Sequence, residues 1–310
     1  MSYHEPVMVA EVVDHLVADP TGLFLDSTAG GGGHSEAILR HLHGSGHLVA
    51  VDRDIEAISE VESRLRRDNQ ERITILQGSF IQLGSLLSEI IEKRSSGLSG
   101  ALFDLGVSSH QIDDPSRGFS YHQDGPLDMR MDRSAGVPVV ELLAHVSEAD
   151  LVSIIKRYGE ERHARRIARE ICRRRSQGEM ETTADLKAAV AAIGPQKPTK
   201  TLARVFQALR IEVNEELKEL DGGLKAVIDL LAPGGRVATI SYHSLEDRLV
   251  KQKFATLVQG CICPPRIPVC GCGRSPSFRR LHRKALRSSP QEVATNSRAR
   301  SAVMRVFDKV

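Results

Sequence analysis

The chain lacks any run approaching the roughly 20 apolar residues that a membrane-spanning helix needs. Its N-terminus, with His4, Glu5, Glu11 and Asp14, lacks the character of a secretory signal. Together these absences predict a cytoplasmic protein with no membrane partner. Net charge is nearly lacking as well, at +2 over 310 residues, but that balance hides local density. Residues 162–175 hold seven arginines, and 274–287 hold five arginines and one lysine. Such clusters point to a polyanionic partner better than the overall charge does. With 41% hydrophobic and 26% charged residues, the composition suits a soluble globular protein. Its length allows two domains.

Cysteine is scarce, five residues in all. Cys172 stands alone in a helical pattern, as a small packed residue does. The other four cluster as Cys261-Ile-Cys263 and Cys270-Gly-Cys272. Without a secretion signal, paired thiols read as metal ligands or redox groups before structural disulfides. Four thiolates could close a tetrahedral zinc site. The Cys-x-Cys spacing is less diagnostic than Cys-x-x-Cys, however, and prolines lie between the pairs. Unliganded loop cysteines stay open as the alternative, so no metal ligand is assigned from sequence.

What the chain does have is organised around Leu23-Phe-Leu-Asp26, running into Ser27-Thr-Ala-Gly-Gly-Gly-Gly-His34. An apolar run ending in Asp26 reads as a buried strand, and a helical pattern through Ile38, Leu39 and Leu42 follows the glycines. Strand, glycine turn and helix open a doubly wound nucleotide-binding fold. A ligand-free tight turn is the plainer alternative. A second strand, His47–Val51, ends in Asp52, about 20 residues past the glycines, where a carboxylate suits ribose hydroxyls. The third glycine of a dinucleotide fingerprint is lacking, because Ser35 occupies its place when counting from Gly30. That weakens a nicotinamide reading and favours an adenosyl ligand without pyrophosphate, such as S-adenosylmethionine.

The alternation continues. A helix from Ile55 to about Arg67 leads to the strand Ile73–Leu76 and then Phe80, and a helix through Leu83, Leu87 and Ile91 leads to the strand Ala101–Asp104. Such alternation predicts a parallel sheet with helices on both faces, and ligands beyond the carboxyl ends of its strands. Asp26, Asp52, Phe80 and Asp104 all fall at or just past such ends.

Residues 112–133 have neither period, and their length marks a functional loop. From Val137 to Leu220 the pattern is helical, with capping signatures at Ser147/Asp150 and Thr182/Asp185. On the helix expected from Glu160, Arg162, Arg166, Arg169 and Arg173 oppose an apolar face of Ala164, Ile167, Ala168 and Ile171. A solvated arginine face is the plain reading. The sheet then resumes: a turn at Ala232-Pro-Gly-Gly235, a strand Arg236–Ile240, and a helix capped by Ser244 with Asp247. After the cysteine pairs and a basic tail comes a last strand, Ala302–Phe307. The helical block is therefore an insertion, with domains expected at 1–114 plus 216–310 and at 115–215.

The most specific motifs are Asp104-Leu-Gly-Val-Ser-Ser109, Arg117-Gly-Phe-Ser120, Asp124-Gly-Pro-Leu-Asp-Met-Arg-Met-Asp132, Tyr158-Gly-Glu-Glu-Arg162 and His243-Ser-Leu-Glu-Asp-Arg248. With them the chain resembles, over nearly its whole length, the bacterial 16S ribosomal RNA (cytosine-N4) methyltransferases. These are class I, Rossmann-like enzymes that use S-adenosylmethionine. The resemblance implies cofactor contacts at Gly32, Gly33, His34, Asp52, Phe80, Asp104 and Gln111, the last on resemblance alone. It implies an all-helical inserted domain. It also implies a target amine on a cytidine in the decoding region of 16S rRNA of the small ribosomal subunit. The Asp/Asn-Pro-Pro-aromatic motif of many amine methyltransferases is lacking. Asp104-Leu-Gly-Val107 stands in its place, so Asp104 is expected to bind cofactor, with activation of the amine as its lesser role. Tyr242 and His243 are expected to line the target pocket or to pack at the sheet end, and Asp128 and Arg130 to contact RNA or the pocket. The rivals are a nicotinamide dehydrogenase, a noncatalytic RNA-binding factor and a DNA cytosine-N4 enzyme. Oligomeric state has no signature in the sequence.

Overall fold

The computed structural model describes residues 6–264, 269 and 271–310. They form two compact units, Met1–Gly106 with Leu217–Val310, and Val107–Glu216. The first unit carries one sheet built from β1 (Leu23–Asp26), β2 (His47–Asp52), β3 (Ile73–Gln77), β4 (Leu98–Asp104), β5 (Leu231–Ser241), β6 (Phe278–Arg280) and β7 (Val303–Lys309). Its order is β3-β2-β1-β4-β5-β7-β6. β1 to β5 are mutually parallel, whereas β7 runs antiparallel to β5, and β6 to β7. The fold is α/β and Rossmann-like, with a mostly parallel sheet.

The apolar strands account for both faces. Side chains alternate across a strand, so Phe24 joins one core with Leu48, Ala50 and Leu102, while Leu23 and Leu25 join another with Val49, Ala101 and Phe103. The helix Val9–Leu16 covers the first core through Val12 and Leu16, and the helices Leu83–Arg94 and Glu216–Leu230 cover the second through Leu87, Leu224 and Val227. From β1 the chain winds outward through β2 and β3, then returns past β1 to β4. The gap between β1 and β4 is thus the topological switch point, where doubly wound sheets bind ligands.

Several local expectations are corrected. The Ala232-Pro-Gly-Gly235 stretch lies inside β5, as an irregularity in its pairing with β4: Leu98 pairs with Leu231, and Gly100 already with Arg236. Pro233 has no N–H for a ladder, so the strand bulges there and continues. β6 had no sequence signature, because Phe278 is its only apolar residue. The helix after β5 is capped by His243: its Nδ1 accepts the Glu246 N–H, and Glu246 Oε2 accepts the His243 N–H at 3.2 Å. Asp247 instead pairs with Arg305 at 2.6 Å.

The second unit is helical: Ser109–Asp113, Val139–His145, Glu148–Gly159, Ala164–Arg175, Thr183–Ala192 and Pro198–Val213. It begins at Val107, earlier than the expected boundary after residue 114, because Val107 packs into the helical core. Leu151, Ile155, Ile167, Ile171, Leu186, Val205 and Leu209 fill that core. The irregular stretch 112–133 is held by buried polar groups. The Arg117 guanidinium donates to the Arg130 and Met131 carbonyls at 3.2 and 2.9 Å. The Asn214 side chain accepts the Met131 N–H at 2.8 Å and donates to the Met129 carbonyl at 2.7 Å. Asp128 and Arg130, expected to contact RNA or the pocket, bind one another at 2.7 Å, with Asp128 buried. Helix Ala164–Arg175 begins after Arg162, which therefore lies in the preceding loop and not on the arginine face.

Candidate active site

Asp26, Asp52, Phe80 and Asp104 stand at or just past the carboxyl ends of β1, β2, β3 and β4. Each group there can be traced to its strand. Asp26 closes β1, fully buried. Its Oδ2 accepts the Ser35 hydroxyl at 2.7 Å, and Oδ1 the Thr28 N–H at 3.2 Å. Burial pushes its carboxyl above the ordinary carboxylate range, against the pull of His34 and the Ser35 and Thr28 hydrogen bonds. Sequence pattern puts Asp26 at a strand end, whereas its partner Ser35 figures there only as a missing third glycine.

Asp52 closes β2. Its Oδ2 accepts the Gly30 N–H at 2.8 Å and Oδ1 the Asp54 N–H at 2.9 Å. Each carboxylate oxygen offers two lone pairs, so acceptor capacity is left for a ligand's hydroxyls. Although partly open to solvent, the group is surrounded closely enough that desolvation pushes it up to about 6, with Asp54 and Asp26 adding like charge. Phe80 follows β3 at the start of a short 3-10 turn, half-buried, edge-on to Phe103 with ring centroids 5.3 Å apart. It presents an apolar flank beside the β2 end, where the Gly78 N–H donates to the Asp52 carbonyl at 2.9 Å.

Asp104 closes β4. Its N–H donates to Thr28 Oγ1 at 2.8 Å, its Oδ1 accepts the Tyr242 hydroxyl at 2.9 Å, and its Oδ2 lies 3.5 Å from His34 Nδ1. Desolvation pushes this carboxyl up to about 6, with His34 and the Tyr242 hydrogen bond opposing and Asp26 and Glu246 reinforcing the rise. Burial and the Asp104 charge hold the Tyr242 phenol protonated, well above its ordinary value. His34 spans the site, because its Nε2 stands 2.9 Å from the Val7 carbonyl. A carbonyl can only accept, so Nε2 carries a proton, and the Nδ1–Asp104 contact is attractive only with a second proton between them. Tyr242 and His34 are thus linked through Asp104, and His243 serves as a helix cap.

The glycines serve more than ligand approach. Gly32 caps the helix Gly33–His41 in the left-handed region at φ 78°, which few side chains tolerate. At Gly33 a Cβ would fall 2.6 Å from Pro6 Cγ, so this glycine admits the N-terminal segment. Gln111 belongs to the second unit, where it is buried and closes a capping box with Ser108.

The donor set fits an adenosyl ligand. The Gly30 N–H, which a pyrophosphate-binding loop would offer to phosphate, is occupied by Asp52, and Asp26 and Asp52 would repel a diphosphate. Carboxylates with spare lone pairs and an apolar flank match ribose hydroxyls and a purine.

Three thiols, Cys261, Cys263 and Cys272, lie near one another after the helix Ser244–Gln259, whereas Cys270 falls outside the described residues. Among the described residues no helix is long and apolar enough to cross a membrane.

Comparison with known proteins agrees with this geometry. The chain is 43% identical to the ribosomal RNA small subunit methyltransferase H of Heliobacterium mobile, over 99% of both chains. It is 45% identical to the protein of that name from Trichlorobacter lovleyi, over 99% of this chain and 98% of the relative. For Syntrophotalea carbinolica the figure is 46%, with the same coverage. The model of the MraW methylase family matches residues 1–310. The chain therefore belongs to the MraW methylase family of S-adenosylmethionine-dependent methyltransferases.

Proposed function

We propose that this protein transfers the methyl group of S-adenosylmethionine to the N4 amine of a cytidine in 16S rRNA of the small ribosomal subunit, in the cytoplasm. The observation that carries the reading is the ring of Asp26, Asp52, Asp104 and His34 around the β1–β4 switch point, in a chain similar over its full length to enzymes named for small-subunit rRNA methylation.

Bound S-adenosylmethionine supplies an activated methyl on a sulfonium. The chain's own residues then have binding, orienting and proton-handling work. Asp52 accepts ribose hydroxyls, and Phe80 flanks the base. The Gly32-Gly33-His34 turn brings backbone close to the ligand, and Gln111 is the remaining residue that the family resemblance gives to the cofactor. Asp104 is oriented by the Tyr242 hydroxyl on Oδ1 and by His34 beside Oδ2, and each oxygen's second lone pair leaves acceptor capacity for the cofactor. No covalent nucleophile is required: an amine nitrogen attacks in line, and its proton leaves once the nitrogen is cationic and acidic.

Recognition of RNA falls to the second unit. Arg162, Lys197, Lys200 and Arg204 line a pocket of about 270 Å³ with Glu161, Gln196 and Thr201. Arg169 on the neighbouring helix is largely exposed. Such cations position a phosphate backbone and carry no base choice.

The test is transfer of labelled methyl from S-adenosylmethionine to small ribosomal subunits lacking the modification, with the product nucleotide mapped. Label on N4 of one 16S cytidine is expected. Label confined to DNA, or to another rRNA, would refute the assignment.

A further inference from the structure

The segment that follows the helix Ser244–Gln259 brings together three thiols that the methyl transfer does not use. Cys272 Sγ lies 3.7 Å from Cys261 Sγ, and with Cys263 all three sulfurs fall within 4.8 Å of one another. None of the three is disulfide-bonded to a described cysteine, as the separation requires, since bonded sulfurs stand about 2.05 Å apart. A zinc–sulfur bond of about 2.3 Å, at the tetrahedral angle, separates two sulfurs by about 3.8 Å. The Cys261–Cys272 spacing matches that figure.

A second observation comes from the segment's own packing. Ile262 is 58% exposed and Val269 77% exposed, so these apolar side chains contribute little to holding it. Yet its neck is pinned. The Ser277 N–H donates to the Leu257 carbonyl at 3.0 Å, and a Cβ on Gly260 would fall 2.4 Å from Pro276 N. With the neck closed and the apolar side chains at 262 and 269 exposed, the described part of the stretch calls for another source of order. In small metal-stapled elements that source is the ion.

We propose that Cys261, Cys263 and Cys272 bind a structural zinc ion that fixes the segment after Gly260. Thiolate donors select zinc over the oxygen-preferring magnesium and calcium. Each coordinating thiol gives up its proton to solvent as its sulfur binds. The ion stands apart from the strand-end carboxylates, on a segment that leads into β6. It braces the sheet edge and takes no part in the displacement.

The experiment measures metal in full-length protein purified without chelator. About one zinc per chain is expected by mass spectrometry. Titrating the thiols of the wild-type protein with a mercurial should release that zinc in step with modification, read by a chromogenic chelator. Cys261→Ser with Cys272→Ser should lower zinc to below about a tenth of an equivalent, while Cys172→Ser keeps it. Cobalt(II) in place of zinc should give the intense absorption of thiolate-to-metal charge transfer. Reduced wild-type protein that contains no zinc and takes up none when zinc is added would overturn the proposal. So would a Cys261–Cys272 disulfide found by mass spectrometry in protein from reducing cytosol. The titration of wild-type protein keeps the test decisive if the double variant fails to fold.

Discussion

The Tyr242 hydroxyl donates a 2.9 Å hydrogen bond to Asp104 Oδ1 across 138 residues of sequence. This bond draws Asp104 toward ionisation, against the burial that pushes its carboxyl up to about 6. Tyr242→Phe removes the donor and little else. The acid limb of methyl transfer should then move to higher pH by about one pH unit, the equivalent of one hydrogen bond to a charged group. Pre-steady-state transfer measured between about pH 5 and pH 8 reads it. A limb that stays in place would mean that Tyr242 is only packing.

Asp52 is expected to hold ribose. Asp52→Ala should weaken S-adenosylmethionine binding by about 1.5–3 kcal/mol, the range for hydrogen bonds to a charged group. Calorimetry with S-adenosylhomocysteine, on protein whose circular dichroism is unchanged, reads the effect. Equal affinity would remove Asp52 from the site. Asp52→Asn is the companion, since it keeps volume and one acceptor oxygen and should lose less.

Asp52 and Asp104 together give a pH dependence whose sign is fixed. Asp52 and Asp104 stand at about 6 in the folded chain against an ordinary 3.8, so the folded state holds the extra protons between those values. Their contribution to stability is therefore fully present below about pH 4 and is lost as pH rises through about 6. Ligand affinity runs the other way. Ribose hydroxyls need an ionised acceptor, so affinity should fall below about pH 6, by up to roughly tenfold per pH unit for each carboxylate involved. Melting temperature and affinity should thus move in opposite directions across the window. Parallel movement would refute the assignment of these carboxyls.

The site was legible wherever chemistry coincides with chain direction. Apolar runs that end in aspartate marked β1, β2 and β4 because a doubly wound sheet gathers its strand ends at one edge. What was not legible depends on distant partners or on unusual roles. Ser35 read as a failed glycine, whereas it is the hydroxyl that Asp26 requires. Gly33 read as a ligand contact, and its backbone also makes room for Pro6. His243 is outside the usual set of helix-capping residues, so Ser244 was favoured although the helix begins with it. Asp128 and Arg130 read as contacts to RNA or to the target pocket, with no sign of their mutual pairing. No local pattern announces that a loop without regular period folds around its own ion pair.

Arg117 is the clearest such case. Its guanidinium is 1% exposed and satisfies the carbonyls of Arg130 and Met131. Arg117→Ala leaves those part-buried acceptors without their donor and opens a cavity where Arg117 is buried, so the second unit should lose about 2–5 kcal/mol. Limited proteolysis between residues 112 and 133, with chemical denaturation, reads the change. S-adenosylhomocysteine affinity at the strand-end carboxylates should fall far less than stability does. Unchanged proteolysis would mean that the loop is held without Arg117, by contacts such as those of Asn214 and the Asp128–Arg130 pair.

The arginines of the second unit divide by how they are held, and that division predicts which of them meet RNA. Arg173 is bound through two nitrogens to Glu170, at 2.9 and 2.7 Å, and the pair pulls the Glu170 carboxyl down to about 2. A phosphate would have to compete with that carboxylate. Arg169 makes a long 3.8 Å contact to Glu148 and is 78% exposed. Arg166 donates to the Ile193 carbonyl, and Arg162 to Gln196 Oε1 and His163 Nε2, acceptors that carry no full negative charge. Removing charge at Arg162, Arg166 and Arg169 together should weaken binding to small ribosomal subunits and leave cofactor affinity unchanged. Removing one arginine–phosphate pair should lower the magnitude of the log–log salt slope by about 0.7 to 0.9, so the triple variant should show a slope smaller by about two to three. Arg173→Ala should change the slope little. The methylated nucleotide should stay the same, because phosphate contacts position the backbone without reading bases. A triple variant with the wild-type slope would return Arg166 and Arg169 to a solvated helix face and Arg162 to a solvated loop.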